Sequence, residues 1–402
     1  MLTLRHPELF PDLVAFPAGL RTITLPDEPR PILVVKAPKE VLLTAQVNQG
    51  FLIYVVPIQS GSMLTAGLIS AFFDDEDEPL TLSTPMSVDP ERLALAQAIW
   101  SGSLDVYLFD EHNREWLGYE ARVTLPPVAQ ARLSAARWLP ATVVHSREQL
   151  DFMTPWFSVR SKAEDDHAIE VHFERALFPE DMVIQDLRTA EHDYHGNPGF
   201  SFSSLERTNP GAFQEDDIVR QLVRIFPAKE IFLNPLRTDD NKEVCDVLVV
   251  TKKRVLIIQA KDSPNTPAML KKSLGRKRFT ALNKLDDALS QVRGAVRYAR
   301  RTSRLTFTVL GEEHDFDLGN RQVHALVVVK ELFNDQMDEY WTLLSAAAAQ
   351  SKVSCVALDY PELSMYASHL VGEDAFFGAY DRVYNFAQEH GHYPRLRLLP
   401  PE

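Results

Sequence analysis

Cysteine is scarce in this chain of 402 residues, which contains only Cys245 and Cys355. Two distant cysteines supply neither a zinc-binding spacing nor a disulfide framework, and both fall in runs that we expect to be buried strands. No apolar run reaches the roughly 20 residues of a membrane-spanning helix. A secretory signal pattern, fixed-period repeats and low-complexity tracts are also missing. These absences argue against a secreted, membrane or solenoid protein and predict a cytoplasmic location.

Charge is abundant but unevenly distributed. The net charge of −14 argues against a general polyanion binder. Residues 252–304, however, contain 15 Lys or Arg against 3 Asp or Glu, whereas the rest of the chain contains 27 against 53. One basic segment in an acidic protein is typical of a phosphate-binding surface. It is equally typical of a solvated helix face balanced by acidic neighbours, and charge alone leaves both interpretations open.

The pattern of apolar residues divides the chain into three parts. Residues 1–125 read as a strand-rich α+β module of unknown role, in which Glu40–Val47 is one of the expected strands. Residues 126–205 read as a connecting region that includes a loop-like stretch at 189–204. Residues 206–395 alternate between helices and short apolar strands. This last pattern predicts an α/β domain with a central mixed sheet flanked by helices.

Two apolar, β-branched runs within residues 244–261 predict a hairpin, because the four polar residues Thr251–Arg254 separate them. If the residues on either side of this turn pair, Asp246 lies opposite Gln259. Lys261 then lies one diagonal step away on the same face. A carboxylate, an amide oxygen and an amine would thus converge at one point of the sheet. The alternative is a salt-bridged strand pair on a solvated face.

A second acid, Glu215, is expected near the same sheet. It belongs to a helix predicted for Pro210–Phe226, and it shares a face with the apolar residues of that helix, which are Ile218, Val219, Leu222 and Phe226. An acid on a buried helix face costs free energy unless it is paired or used in a site. The alternative is a carboxylate near the helix start that interacts with the helix dipole.

This set of residues resembles the motif of the PD-(D/E)xK, or restriction-endonuclease-like, nuclease superfamily. In that motif an acid lies on a helix, an Asp lies on a strand, and the paired strand carries an acid or Gln two residues before a Lys. The segment Cys245-Asp246, followed by Gln259-Ala260-Lys261, is most similar to the branch in which Gln replaces the last acid, as in type IV restriction endonucleases and nuclease-related domains. The resemblance covers about residues 206 to 360. It implies a restriction-endonuclease-like fold and hydrolysis of DNA with Mg²⁺ or Mn²⁺, in a setting of restriction or defence.

The resemblance also implies a role for each residue of the set. Asp246 would bind the metal, and Gln259 would stand where a second carboxylate usually stands. Lys261 would orient or deprotonate the attacking water, and Glu215 would hold a second metal or its water. The metal ligands would therefore be Glu215, Asp246 and Gln259. Two departures from the pattern are Cys245 in place of Pro and the lost charge at Gln259, which should weaken metal affinity.

The helix expected for Phe279–Arg301 would carry a further site residue. Relatives in this superfamily often place a Gln from this helix near the site, and Gln291 is the candidate, with an exposed polar edge as the alternative. The DNA phosphates would contact basic residues in and before this helix. These candidates are Lys271, Lys272, Arg276, Lys277, Arg278, Arg293 and Arg297.

Two other functions remain open on the sequence alone. A neutral Gln259 is also what a catalytically decayed nuclease fold would carry, and such a protein would bind nucleic acid without cutting it. The basic segment could instead dock onto the acidic remainder or onto a protein partner. The sequence does not determine the oligomeric state, so a homodimer is kept as an alternative.

Overall fold

The computed structural model describes residues 1–16, 18–61, 63–74, 79–189, 192–208, 210–264 and 266–394. It is a mixed α/β structure with two large mixed sheets, one from each half of the chain, and each sheet has its own hydrophobic core. None of the helices in these ranges has both the length and the apolar character that crossing a bilayer requires.

The first sheet has eight strands, which pair in the order β1-β2-β6-β7-β8-β3-β4-β5. They are β1 (Gly19–Ile23), β2 (Ile32–Lys36), β3 (Gly50–Ser60), β4 (Met63–Phe72), β5 (Leu80–Pro85), β6 (Ser103–Phe109), β7 (Glu115–Thr124) and β8 (Ile169–Ala176). Strands β2 and β6 are parallel, and the other pairs are antiparallel. The accompanying helices are α1 (Leu2–Arg5), α2 (Phe10–Ala15), α3 (Lys39–Val47), α4 (Pro90–Trp100), α5 (Pro127–Ala135), α6 (Val143–Ser158) and α7 (Lys162–Asp166), with a 3₁₀ helix at Pro7–Leu9.

Two features of this half differ from the sequence-based expectations. The run Glu40–Val47, expected to be a strand, lies in helix α3, which begins directly after Pro38. A short apolar run that is buried on most sides shows neither the alternation of a strand nor the 3.6-residue period of a helix. Its sequence alone therefore does not distinguish the two structures. The region 126–205, expected to be a connection, contributes β8 to the interior of the first sheet, between β7 and β3. The predicted boundary at residue 125 would therefore separate β8 from the other strands of the same sheet.

The second sheet has the order β11-β13-β14-β17-β18. Its strands are β11 (Ile231–Leu233), β13 (Val247–Val250), β14 (Arg254–Lys261), β17 (Gln322–Val329) and β18 (Ser354–Asp359). The first three strands are antiparallel, and β14, β17 and β18 run parallel to one another. This is the mixed central sheet that the sequence predicts for the C-terminal part.

Helices and two small sheets surround this second sheet. The helices are α8 (Gly211–Leu222), α9 (Pro267–Leu270), α10 (Leu274–Ala299), α11 (Met337–Ser351), α12 (Tyr360–His369) and α13 (Glu373–His390), with a 3₁₀ helix at Ala228–Glu230. The small sheets pair β9 (Val183–Asp186) with β10 (Ser201–Ser204), and β12 (Leu236–Arg237) with β15 (Arg304–Val309) and β16 (Glu312–Asp317). The stretch 189–204, expected to be a loop, thus contributes a short strand.

Helix α10 packs on β14 and β17 through an apolar stripe spaced at three and four residues. Its central members Leu285, Leu289 and Val292 are completely buried. Burial of one such side chain is worth about 1.5–3 kcal/mol, so the stripe fixes how the helix lies on the sheet. The polar residues beside the stripe are thereby held at one place along β14.

Charged contacts join the two halves. On α8, Asp217 lies 2.9 Å from the Lys39 ammonium of α3 and 3.1 Å from the Arg114 guanidinium. At the start of α10, the Lys277 ammonium lies 2.7 Å from Asp74 Oδ2 at the end of β4. Two elements that carry candidate site residues, α8 and α10, are therefore held against the first module by ion pairs.

Candidate active site

Strands β13 and β14 pair in the register that the sequence predicts. Val250 lies opposite Val255, and Val247 lies opposite Ile258. Asp246, one residue before β13, accordingly faces the end of β14, where its Oδ2 accepts a 2.5 Å hydrogen bond from the backbone N–H of Ala260. The Asp246 carboxylate is largely buried, because only 8% of the residue is exposed.

Gln259 brings Asp246 and Gln291 together. One terminal atom of the Gln259 side chain lies 3.1 Å from Asp246 Oδ2, 3.2 Å from Asp246 Oδ1 and 3.1 Å from Gln291 Oε1. If that atom is the amide nitrogen, it donates to all three oxygens. If the amide is rotated by half a turn, an oxygen from Gln259 faces three other oxygens. Neighbouring ligands around Mg²⁺, at about 2.1 Å from the ion, are about 3.0 Å apart, so the rotated arrangement fits a hard cation.

Glu215 reaches the same region from the start of α8. Its Oε2 accepts a 3.0 Å hydrogen bond from the side-chain amide of Asn234. The backbone N–H of Asn234 in turn donates to the carbonyl of Asp246 at 2.9 Å. Asn234 adopts a left-handed conformation with φ of 49° directly after β11. A single turn residue therefore fixes Glu215 relative to the strand that follows Asp246.

Acidic groups near one another raise each other's affinity for protons. Burial raises the pKa of Asp246, and burial together with the charge of Asp246 raises the pKa of Glu215. Glu243 belongs to the same group, although the residue is exposed. Partial burial of its carboxyl and then the charges of Asp246 and Glu215 raise the pKa of Glu243 to about 7. The positive charge of Lys261 opposes the shift at all three acids.

The three carboxylates do not form a tight cluster. Among the described residues, the oxygens of Glu215, Glu243 and Asp246 do not all come within 4.8 Å of one another. Of the three expected metal ligands, Asp246 and Gln259 are in contact. Glu215 is linked to Asp246 through Asn234, which bonds to both residues. Mg²⁺ in proteins is commonly held by one or two carboxylates and several waters, so the contacting pair still suits it.

Lys261 is the last residue of β14 and lies beside Val329 of the parallel strand β17. It lines a cavity of about 940 Å³ between the two modules. Val329 and Asp359, which end β17 and β18, also line this cavity, as do Glu40 and Val41 of α3. The carboxyl ends of parallel strands are a common position for ligand crevices in α/β proteins. Lys261 thus borders this cavity, while its charge acts on Glu215, Glu243 and Asp246.

The expected phosphate-binding residues divide into two groups. Lys277 pairs with Asp74, and Arg278 lies 2.8 Å from Asp335, so both side chains hold the fold together. Their assignment as candidates for DNA binding stays a prediction, and each would have to share its side chain with an acid of the fold. The remaining five are exposed or partly exposed, and they are Lys271, Lys272, Arg276, Arg293 and Arg297. Lys272 also lines the cavity beside Lys261.

Comparison with known proteins supplies no relative. No family model, curated protein or solved structure matches this chain. The arrangement of the side chains therefore carries the functional argument by itself.

Two residues of this region were missed by the sequence analysis. Asn234 follows a short strand and precedes a proline, which signals a turn but not a site. Glu243 lies three residues before Asp246 in a polar stretch, and its charge is the only signal that could have drawn attention to it. Neither residue belongs to a periodic pattern, so only the three-dimensional structure assigns them to the acidic group.

Proposed function

We propose that this protein is a metal-dependent nuclease that hydrolyses phosphodiester bonds of DNA. The observation that carries the proposal is the contact of Gln259 with Asp246, at 3.1 and 3.2 Å, and with Gln291, at 3.1 Å. Lys261 lies two residues further along the same strand face. Oxygen ligands beside an amine are what metal-assisted hydrolysis of a phosphodiester requires.

Asp246 and Gln259 are the residues that would hold Mg²⁺ or Mn²⁺. The bound ion would act as a Lewis acid on the phosphate and lower the pKa of a water. When the Gln259 amide rotates by half a turn, its nitrogen no longer donates to Asp246 and its oxygen would face the ion. Gln291 supplies a further oxygen at 3.1 Å, which accepts a hydrogen bond from the Gln259 amide nitrogen when no ion is bound.

Lys261 and Glu215 act on the water and the phosphate. The Lys261 ammonium would offset the negative charge that develops on the phosphate oxygens. Glu215, oriented by Asn234, would accept a hydrogen bond from the attacking water and hold it in line. Its raised pKa makes it a better proton acceptor than an ordinary carboxylate. The cavity beside Lys261 would bind the part of the DNA strand that is adjacent to the scissile phosphate.

The order of elements supports a restriction-endonuclease-like fold as part of this proposal. Helix α8 is followed by the antiparallel strands β11, β13 and β14, then by helix α10 and the parallel strand β17. The proposed site lies where β13 begins and β14 ends, next to α8, with α10 contributing Gln291. Restriction or defence against foreign DNA is the biological setting that we propose with it.

Cleavage of supercoiled plasmid and of single-stranded DNA, with Mg²⁺ or Mn²⁺, tests the proposal. Asp246→Ala and Lys261→Ala should each reduce the cleavage rate by at least about a hundredfold. Lys252→Ala is the matched control, because Lys252 is an exposed lysine at the turn of the same hairpin. Cleavage by both site variants at the rate of the wild type would rule the proposal out.

A catalytically decayed nuclease fold is the second candidate. It is favoured by the fact that the Gln259 amide can satisfy Asp246 and Gln291 without any ion. This candidate predicts binding of DNA without cleavage and no rise in melting temperature on adding Mn²⁺. A rise that Asp246→Ala abolishes would exclude it.

The cytoplasm is the compartment that we propose for this activity. Cys245 and Cys355 are both free and buried, as thiols in a reducing compartment are. The homodimer stays a prediction, and light scattering of the purified protein decides it.

A further inference from the structure

Two histidines and a glutamate meet at a second place, on the small sheet beside β11. One nitrogen of His195, one nitrogen of His314 and one oxygen of Glu312 all lie within 4.8 Å of one another. The two imidazole rings stand edge to face, with their centroids 4.9 Å apart. Among the described residues, this is the one group of three or more potential ligands that comes so close.

The backbone explains why these side chains converge. Glu312 and His314 are two residues apart on β16, so both point to the same face of the strand. His195 is held by backbone hydrogen bonds on both sides: its N–H donates to Ile231, and its carbonyl accepts from Leu233. These bonds attach the segment before β10 to the edge strand β11.

Aromatic packing fixes the two rings. His195 stacks on the Phe232 ring at a centroid distance of 4.5 Å and an angle of 7°. His314 meets the edge of the same Phe232 ring at 4.9 Å. Both imidazoles are therefore oriented by one phenylalanine before any ligand binds, which lowers the entropy cost of bringing them together.

His314 also has an unsatisfied atom. Its Nε2 is buried and has no hydrogen-bond partner. A neutral imidazole has a lone pair on one of its two ring nitrogens, which is what a metal ion binds. A buried ring nitrogen without a partner costs free energy, and a metal ion would recover it.

We propose that His195, Glu312 and His314 bind a divalent transition-metal ion of the zinc class. Two imidazoles and one carboxylate form a ligand set that suits Zn²⁺, whereas the all-oxygen group around Asp246 suits Mg²⁺. A tetrahedral site needs neighbouring ligands about 3.4 Å apart, so the three groups close by at most about 1.4 Å. Rotation of the exposed Glu312 side chain would bring its carboxylate closer to the two imidazoles.

The ion would join two parts of the chain that are more than a hundred residues apart. His195 belongs to the segment that leads into β10, and the other two ligands belong to the hairpin of β15 and β16. The fourth position would face solvent and take a water molecule, since Glu312 is exposed. The ion thereby stabilises the edge of the second sheet at β11, the strand that Asn234 follows.

Metal titration of the untagged, chelator-treated full chain tests the site. We expect one equivalent of Zn²⁺ to bind, one equivalent of Co²⁺ to give visible absorption bands of a low-coordinate site, and the melting temperature to rise with either ion. His314→Gln and Glu312→Gln should each weaken binding by at least about tenfold. Glu313→Gln is the matched control, because Glu313 lies between the two ligands and points to the opposite face of β16.

The Asp246→Ala variant separates this site from the proposed nuclease site, since it should keep its equivalent of Zn²⁺ whether or not the protein cuts DNA. The metal-free melting temperatures of the variants show whether a substitution has disturbed folding. Binding of Zn²⁺ by His314→Gln and Glu312→Gln as tightly as by the wild type, or no binding of Zn²⁺ by the wild type, would overturn the proposal.

Discussion

The Lys39 ammonium donates a 2.9 Å hydrogen bond to the Asp217 carboxylate, with both groups buried between α3 and α8. Arg114 donates to the same carboxylate at 3.1 Å from two of its nitrogens. Burial alone would raise the pKa of Asp217, but Lys39 and Arg114, its largest opposing charges, hold that pKa well below its usual range. This ion cluster attaches the first module to the helix that begins the proposed nuclease domain.

Asp217→Ala should destabilise the protein strongly. The substitution leaves the charges of Lys39 and Arg114 buried without their counter-charge, which typically costs about 3–5 kcal/mol. Chemical denaturation measures the loss as a lower midpoint. Asp216→Ala is the neighbouring control, because Asp216 accepts a hydrogen bond from Tyr194 and should cost only about 1 kcal/mol. Equal losses for the two substitutions would contradict the assignment of the buried cluster.

The stability of the same interface should fall as the pH rises through neutrality. Burial, followed by the charge of Asp110, raises the pKa of Glu111 from 4.5 to about 8, and Glu111 Oε2 has no hydrogen-bond partner. Between these values the folded chain binds more protons at this position than the unfolded chain, so the free energy of unfolding decreases with pH. Glu111→Gln should flatten this decrease between pH 5 and 8, as measured by melting temperature. The exposed Glu313→Gln should leave the profile as in the wild type.

Local patterns explain what the sequence predicts well. The register of a hairpin follows from its turn, so the pairing of Asp246 with Gln259 could be derived from a dozen residues. Helical periodicity likewise indicates which face of α8 carries Glu215 and which edge of α10 carries Gln291. These residues share short stretches of chain, where period and turn geometry leave few alternatives.

Contacts between distant segments explain what the sequence misses. The insertion of β8 into the first sheet depends on pairing with strands more than forty residues away, which no local pattern records. His195 meets Glu312 and His314, which lie more than a hundred residues further along the chain, so no local spacing marks the three as a group. The ion pair of Lys277 with Asp74 is likewise absent from any local pattern, because the two residues are about two hundred positions apart.

The basic residues near α10 should separate into binding and structural residues. Arg276→Ala removes an exposed charge and should weaken DNA binding and lower the salt slope of log K by about 0.9, the value for one phosphate contact. Lys277→Ala breaks the 2.7 Å ion pair with Asp74 and should lower the melting temperature instead. Fluorescence anisotropy at several salt concentrations measures the first effect. An unchanged salt slope in Arg276→Ala would remove this residue from the DNA contacts.

Asn234 should be replaceable by glycine more easily than by alanine. Its φ of 49° costs about 1 kcal/mol or more for alanine, whereas glycine adopts it freely. Both variants lose the hydrogen bond to Glu215, so both should cut DNA more slowly, but only Asn234→Ala should also melt at a lower temperature. The comparison separates orientation of the acid from backbone strain. Full cleavage activity in Asn234→Gly would show that Glu215 needs no support from this amide.

Gln259→Glu should strengthen metal binding at the proposed nuclease site. A glutamate restores the negative charge that Gln259 lacks, and it places two carboxylates around the position where Asp246 and Gln291 meet. A divalent cation offsets the repulsion between two acids, so the Mn²⁺ concentration that gives half of the maximal rise in melting temperature should fall by about tenfold. Without metal the same repulsion should lower the melting temperature below that of the wild type. Gln259→Ala, which offers no ligand, is the control and should need more Mn²⁺ than the wild type. The prediction fails if Gln259→Glu binds Mn²⁺ no more tightly than the wild type and is equally stable without metal. The side chains at 246 and 259 would then not share an ion.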